Sequence, residues 1–309
     1  MTCAFFFPGQ GSQSLNMMSG FAEQAVVKQT FDEASAILGR DLWAMMTGDD
    51  ATLLNETVNT QPLMLTAGVA TYRAYREVGG AAPSVTAGHS LGEYTALVVA
   101  GSLDFADAVR LVQLRAQLMQ DAVPQGTGAM AAILGLDDDT VRAVCAQAAG
   151  DEIVEAVNFN SPAQVVIAGH AAAVNRAMAL AQEQGAKHAL PLPVSVPSHC
   201  ALMKPAAAKL ALALNDITFR QPEIRVLHNA DVASYQDVAQ IKDALVRQLY
   251  SPVRWTESVQ KLAAEGITRS AECGPGKVLA GLVKRIDKNI SCTALVNTAA
   301  VTAFATPQD

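Results

Sequence analysis

The stretch Gly88-His89-Ser90-Leu91-Gly92 constrains this chain more than any other. It fits Gly-x-Ser-x-Gly, the pattern of a corner at which a strand ends, a serine is exposed and a helix leaves at once. The flanks agree with that geometry. Ser84 to Ala87 suits a short strand end, and Leu91 to Val99 is rich in Ala, Leu and Val, as a packed helix would be. Gly101 is placed to stop that helix in the left-handed conformation. Glycines two residues either side of the serine let helix and strand approach closely. A Gly-rich turn holding an ordinary serine satisfies the same five residues, so a function has to be argued from the rest of the chain.

With 309 residues, half of them hydrophobic and 17% charged, the chain can bury a large core, as one big domain with an insertion or as two domains. Thr2 to Phe7 reads as a first buried strand. It runs into Pro8-Gly9-Gln10-Gly11-Ser12-Gln13, a polar loop at a strand end, where α/β folds place ligand groups. Helices are expected around 19–38, 51–56, 61–78 and 105–122. From Pro124 the texture changes to strand 128–134, helix 139–149, strands 153–158 and 164–168, helix 171–184 and strand 187–190. That order is βαββαβ, a ferredoxin-like unit. Pro191, Pro193 and Pro197 mark the return, so 124–194 is expected as an inserted small domain between 1–123 and 195–309. Beyond it come a loop at Pro197-Ser198-His199-Cys200, a turn at Asn229-Ala230-Asp231 and a helix over 241–250. A strand then leads from Gly266 into Glu272-Cys273-Gly274-Pro275-Gly276-Lys277. The final thirty or so residues carry less pattern, and the last few are expected to be loose.

A serine hydroxyl is a poor nucleophile until a base takes its proton, and the base is most often histidine. Of the five histidines, His89 belongs to the corner itself, and His170 and His188 fall inside the small unit. His199 sits in a proline-bounded loop just past the junction, where a cleft would form, and is the first candidate, with His228 second. No Asp or Glu stands out as the third member of a triad. The long stretch after His199 also departs from the hydrolase order, in which the histidine lies near the C-terminus. The amide of Leu91 is one candidate oxyanion donor, and the loop carrying Gln10 supplies the other. On the 105–122 helix, Arg115 shares a face with Ala108, Leu111, Val112, Leu118 and Met119. It either meets an anion there, forms a structural ion pair or snorkels to solvent.

Other chemistries find no support. There is no Gly-x-Gly-x-x-Gly, no P-loop, no Cys-x-x-Cys and no zinc-ligand spacing, so no nucleotide, metal or other cofactor is expected. A net charge of −7 argues against nucleic acid. The five scattered cysteines read as packed thiols rather than a disulfide framework. No apolar run reaches the ~18 residues of a membrane span. Phe5-Phe6-Phe7 lacks the basic flank of a signal peptide, so a cytoplasmic protein is expected. No helix shows a sustained exposed apolar seam, and a monomer is expected.

Taken together, several stretches resemble the malonyl-CoA:acyl-carrier-protein transacylases of bacterial fatty-acid synthesis. They are 7–13, Thr60-Gln61-Pro62, 88–94, 157–162, Val196-Pro197-Ser198-His199, Arg247-Gln248-Leu249 and Gly274-Pro275-Gly276-Lys277, in family order from residue 4 to about 290. The resemblance implies an α/β-hydrolase-like large domain with a ferredoxin-like insert. It implies Ser90 as the acyl-carrying nucleophile, His199 as the base and the amides of Gln10 and Leu91 as the oxyanion hole. The backbone carbonyl of Gln248 would orient the imidazole, and Arg115 would pair with the free malonyl carboxylate. Gln61, Met119 and Asn160 would approach the pocket. The implied partners are malonyl-CoA and a holo acyl carrier protein. Because carriers of this kind are acidic, a local basic patch of Lys277, Lys284, Arg285 and Lys288 is the expected docking surface, set against the alternative of a merely solvated helix face.

Two positions depart from the family. Cys273 replaces a common aliphatic residue, and Ser198 lies where polyketide relatives tune for or against an α-methyl group. A serine hydrolase, a non-catalytic module on this fold, and an acyltransferase serving polyketide synthesis or malonate decarboxylation are the competing readings.

Overall fold

Cys3–Phe7, the first strand (β1), is buried along its whole length, as a strand covered on both faces must be. Its alternate side chains feed two cores. Cys3, Phe5 and Phe7 face one helical layer, and Ala4 and Phe6 face the other, where Phe6 meets Trp255 edge-on at 5.3 Å. The computed structural model describes residues 2–124, 126–194 and 196–306. The expected junction at 195 and the expected loose end at 307–309 fall outside these.

β1 is the middle of a five-stranded, wholly parallel sheet. Its partners are β2 (Val85–Gly88), β7 (Arg225–Leu227), β8 (Arg269–Glu272) and β9 (Ser291–Ala294), in the order β7-β2-β1-β8-β9. Between β2 and β7 in the chain lies a second sheet, antiparallel throughout. It consists of β3 (Gly128–Leu134), β4 (Val154–Ser161), β5 (Gln164–His170) and β6 (His188–Pro191), ordered β4-β5-β3-β6. Helices Asp138–Ala149 and Ala171–Glu183 close a separate apolar core on it. This is the ferredoxin-like arrangement expected from the βαββαβ order. β4 runs on to Ser161, so the hairpin turn is Pro162-Ala163, with Ala163 at φ 58°.

Two local expectations are corrected. The helix expected from 61 starts four residues earlier, as Thr57–Glu77, with Pro62 inside it. Proline cannot donate to the carbonyl of Val58; Arg40 Nη2 takes that carbonyl instead, at 2.9 Å. The region around 19–38 is a short 3₁₀ turn, Ser19–Phe21, and then a helix, Ala25–Leu38; a further helix, Leu42–Thr47, went unforeseen. Near the end of the described chain, helices Val278–Ile286 and Thr298–Ala305 flank β9. No helix among the described residues is long and apolar enough to cross a membrane.

Candidate active site

β2 ends at Gly88, and the helix Gly92–Val99 begins four residues later. A Cβ on Gly88 would lie 1.8 Å from the backbone of Gly92, and one on Gly92 would lie 2.0 Å from the Phe7 carbonyl oxygen. Only glycine fits either position, which is what the sequence pattern demanded. Ser90 between them sits in the left-handed region at φ 51°, a conformation that costs a non-glycine residue about 1–3 kcal/mol and turns the hydroxyl off the strand end.

His199 lies opposite, also left-handed at φ 66°, with its amide bonded to the Leu249 carbonyl at 3.0 Å. Its Nε2 is 2.7 Å from Ser90 Oγ, and its Nδ1 is 2.8 Å from the Gln248 carbonyl oxygen. A carbonyl oxygen can only accept, so Nδ1 carries the proton and Nε2 is the bare nitrogen facing the serine. Burial first, and then the charge of Arg115, push the His199 pKa down to about 3; the hydrogen bond to Gln248 opposes this. The imidazole is therefore neutral and able to accept a proton at neutral pH.

Arg115, on the helix Phe105–Asp121, is 1% exposed. Its Nη1 donates to Gln61 Oε1 at 2.8 Å and its Nη2 to Gln248 Oε1 at 3.0 Å, with Ser90 Oγ 3.4 Å from Nη2. Among the described residues no carboxylate bonds to it, and its Nε has no acceptor. Burial lowers its pKa, opposed by Tyr94 and Glu93, yet a guanidinium stays charged. Snorkelling and a direct ion pair, two of the readings open at the sequence level, are thus absent.

Ser90, His199, Arg115 and Gln61 line a cavity of about 100 Å³ with Gln10, Thr57, Leu91, Met119 and Ser198. Met130, Asn158, Leu192 and Val194 form its other wall, on and beside the antiparallel sheet. The amides of Gln10 and Leu91 have no acceptor among the described residues. A larger cavity, about 550 Å³, lies around Thr268, Arg269 and Ser291 at the opposite, N-terminal ends of β8 and β9; it holds none of these groups.

Some placements differ from expectation. Asn160 does not line the cavity; its Oδ1 lies 2.8 Å from His89 Nε2, and Asn158 faces the cavity instead. His228, the second candidate base, is buried against Glu93 at 2.7 Å, away from the serine hydroxyl. Glu93, Asn229 and the Gln248 side chain escaped sequence reasoning. Gln248 Nε2 donates to the Ser90 carbonyl at 2.9 Å and to Glu93 Oε2 at 3.0 Å. Glu93 had a signal that was there to find, a carboxylate in an otherwise apolar helix. Lys277, Lys284, Arg285 and Lys288 are all exposed, the last three at or just past the end of the helix Val278–Ile286, and Arg285 reaches Gln164 at 2.7 Å.

Residues 4–300 match the acyl transferase domain family. A malonyl CoA-acyl carrier protein transacylase of Escherichia coli strain K12 is 57% identical over 301 residues, 97% of each chain. Among solved structures, an acyl-carrier-protein S-malonyltransferase of Burkholderia pseudomallei superposes with a TM-score of 0.96 at 58% identity, covering 98% of this chain and 99% of that one. A malonyl-transacylase in complex with a holo type II PKS acyl-carrier protein superposes with a TM-score of 0.97 at 53% identity, covering 99% of both.

Proposed function

The chain belongs to the acyl transferase domain family, and from that premise we propose that it transfers malonyl groups from malonyl-CoA to the phosphopantetheine thiol of a holo acyl carrier protein, for fatty-acid synthesis. One observation carries the choice of acyl group. A buried guanidinium with only neutral oxygen partners stands 3.4 Å from the hydroxyl that would hold the acyl chain. A malonyl ester on Ser90 would present its free carboxylate to Arg115 and supply the missing anion. An acetyl group would leave it unpaired, and a site built for a charged partner discriminates strongly against a ligand that lacks it.

In this reading His199 Nε2 takes the Ser90 proton as Oγ attacks the thioester carbonyl. The amides of Gln10 and Leu91 receive the oxyanion, each worth about 3 kcal/mol in the transition state. The C–S bond breaks, CoA leaves with the proton from His199, and the malonyl group stays on Ser90. The carrier's thiol then gives its proton to His199, attacks the ester, and restores the serine. The Gln248 carbonyl holds the imidazole in the tautomer both halves need. Pairing with the substrate carboxylate also offsets the Arg115 charge that depresses His199, so malonyl makes its own base stronger. The reading retains a monomeric, cytoplasmic enzyme. The exposed cations at Lys277, Lys284, Arg285 and Lys288 serve as the carrier's docking surface.

Intact mass spectrometry tests the reading. Wild-type protein mixed with malonyl-CoA gains one malonyl adduct, Ser90→Ala gains none, and holo carrier protein discharges the adduct. Absence of the adduct on wild-type protein refutes it; rapid release of free malonate before carrier is added favours a hydrolase.

A further inference from the structure

β2 and β7 pair in parallel as Val85↔Arg225, Thr86↔Val226 and Ala87↔Leu227, and the ladder stops there. Past Leu227, among the described residues, no backbone group of the β7 side bonds the Gly88 carbonyl or the Ser90 amide. A side chain does. Asn229 Nδ2 donates to the Gly88 carbonyl at 2.7 Å, and Asn229 Oδ1 accepts from the Ser90 amide at 2.7 Å. A residue in a parallel strand bonds its neighbour in this way, giving an N–H to the residue before a partner and taking one from the residue after it. The carboxamide thus acts as a substitute peptide group and carries the ladder one step past the end of the strand.

We propose that Asn229 is a positioning residue for acyl transfer, holding Ser90 in its left-handed conformation by extending the β2–β7 ladder through its side chain. This rests on the reading of Ser90 as the nucleophile. Both backbone groups of Ser90 are then held by side-chain amides, the N–H by Asn229 and the carbonyl by Gln248 Nε2. The two residues share one anchor, because the Asn229 backbone N–H and Gln248 Nε2 each donate to Glu93 Oε2 at 3.0 Å. Asn229 itself is buried and does not line the cavity, so its influence on the reaction passes through Ser90. By occupying the Ser90 amide it also leaves the next amide, that of Leu91, as the elbow's open donor.

The test uses Asn229→Asp, which keeps an acceptor for the Ser90 amide but sets a carboxylate oxygen against the Gly88 carbonyl, and Asn229→Ser, which shortens the reach of both bonds without adding charge. Each full-length variant is mixed with malonyl-CoA, and the single-turnover rate constant for Ser90 acylation is recorded with the fraction of protein acylated at the end point. The expected result is a rate constant about 100-fold lower in Asn229→Asp and about 10-fold lower in Asn229→Ser, with near-complete final acylation and an unchanged malonyl-to-acetyl ratio. A wild-type rate constant in a reduced fraction of the protein would show only a folding role and overturn the proposal. So would a wild-type rate in full yield, which leaves the nucleophile assignment standing. No adduct on wild-type protein removes the nucleophile assignment and the proposal together.

Discussion

Replacing Arg115 with glutamine is expected to make His199 a stronger base. Both side chains reach the same oxygen, Ser90 Oγ, at 3.4 and 2.7 Å, so the guanidinium nitrogen and the imidazole Nε2 lie at most ~6 Å apart. At that separation, and with an effective dielectric of about 20, a unit charge costs the imidazolium about 2.8 kcal/mol, equivalent to about two on the pH scale. Glutamine removes the charge and should lift the His199 midpoint from about 3 toward 5, with burial holding it below the ordinary 6.5. The assay has to be blind to malonyl binding, which the substitution also damages. Phosphonylation of Ser90 by a small neutral fluorophosphonate meets that need, because on the proposed reading it uses Ser90 and His199 and brings no carboxylate to Arg115. Its rate, measured from pH 4.5 to 8, should stay flat in the wild type and fall below about pH 5 in Arg115→Gln. A wild-type acid limb near 6.5, or superimposable profiles, would refute the electrostatic account of this base.

Arg115→Ala should lower kcat/KM for malonyl transfer by about 100-fold or more while raising the acetyl-to-malonyl ratio; equal losses for the two acyl groups would count against the carboxylate role. Gly92→Ala, whose Cβ meets the Phe7 carbonyl at 2.0 Å, should cost at least about 3 kcal/mol of stability in urea unfolding, and an unchanged midpoint would contradict so close an approach of helix and strand. Stability should fall as pH drops from about 6.5, because the unfolded chain protonates its histidine there while buried His199 resists until about 3; Tm measured between pH 7 and 5 should fall less steeply in His199→Gln. Charge reversal at Lys284 and Arg285 should weaken transfer to the carrier protein and leave acylation by malonyl-CoA untouched; equal kcat/KM for wild type and variant would dismiss the docking patch.

The features legible in the sequence are those that leave a period or a steric signature. The corner at Ser90 announces itself because two glycines are needed within five residues. The antiparallel unit does so through a long alternation of strands and helices, and Arg115 by falling on an apolar helical face. β7 and β9, of three and four residues at the sheet edges, are too short to show a pattern. The helix through Pro62 reads from the sequence as starting at 61, because the bond that Pro62 cannot make is replaced by one from Arg40, outside the helix. Asn229 was harder still. An asparagine in a turn is ordinary, and nothing local reveals that its amide completes a ladder to a residue 139 positions earlier. Asn160, which the resemblance implied near the pocket, reaches it only through His89, while Asn158 lines it. β4 shifts register between Ala156 and Asn158 and again before Ser161, so simple alternation does not say which side chain turns to the cavity.

The order in which the strands appear along the chain has a consequence for synthesis. β1 and β2, the centre of the parallel sheet, are made first, and the antiparallel sheet follows before His199 emerges, 109 residues after Ser90. Asn229 comes 139 residues after the serine and Gln248 158 residues after it. A nascent chain therefore carries Ser90 for much of translation without His199 beside its hydroxyl and without Asn229 or Gln248 on its backbone. The bonds that fix its hydroxyl and its backbone form only when the late segments close on the early ones.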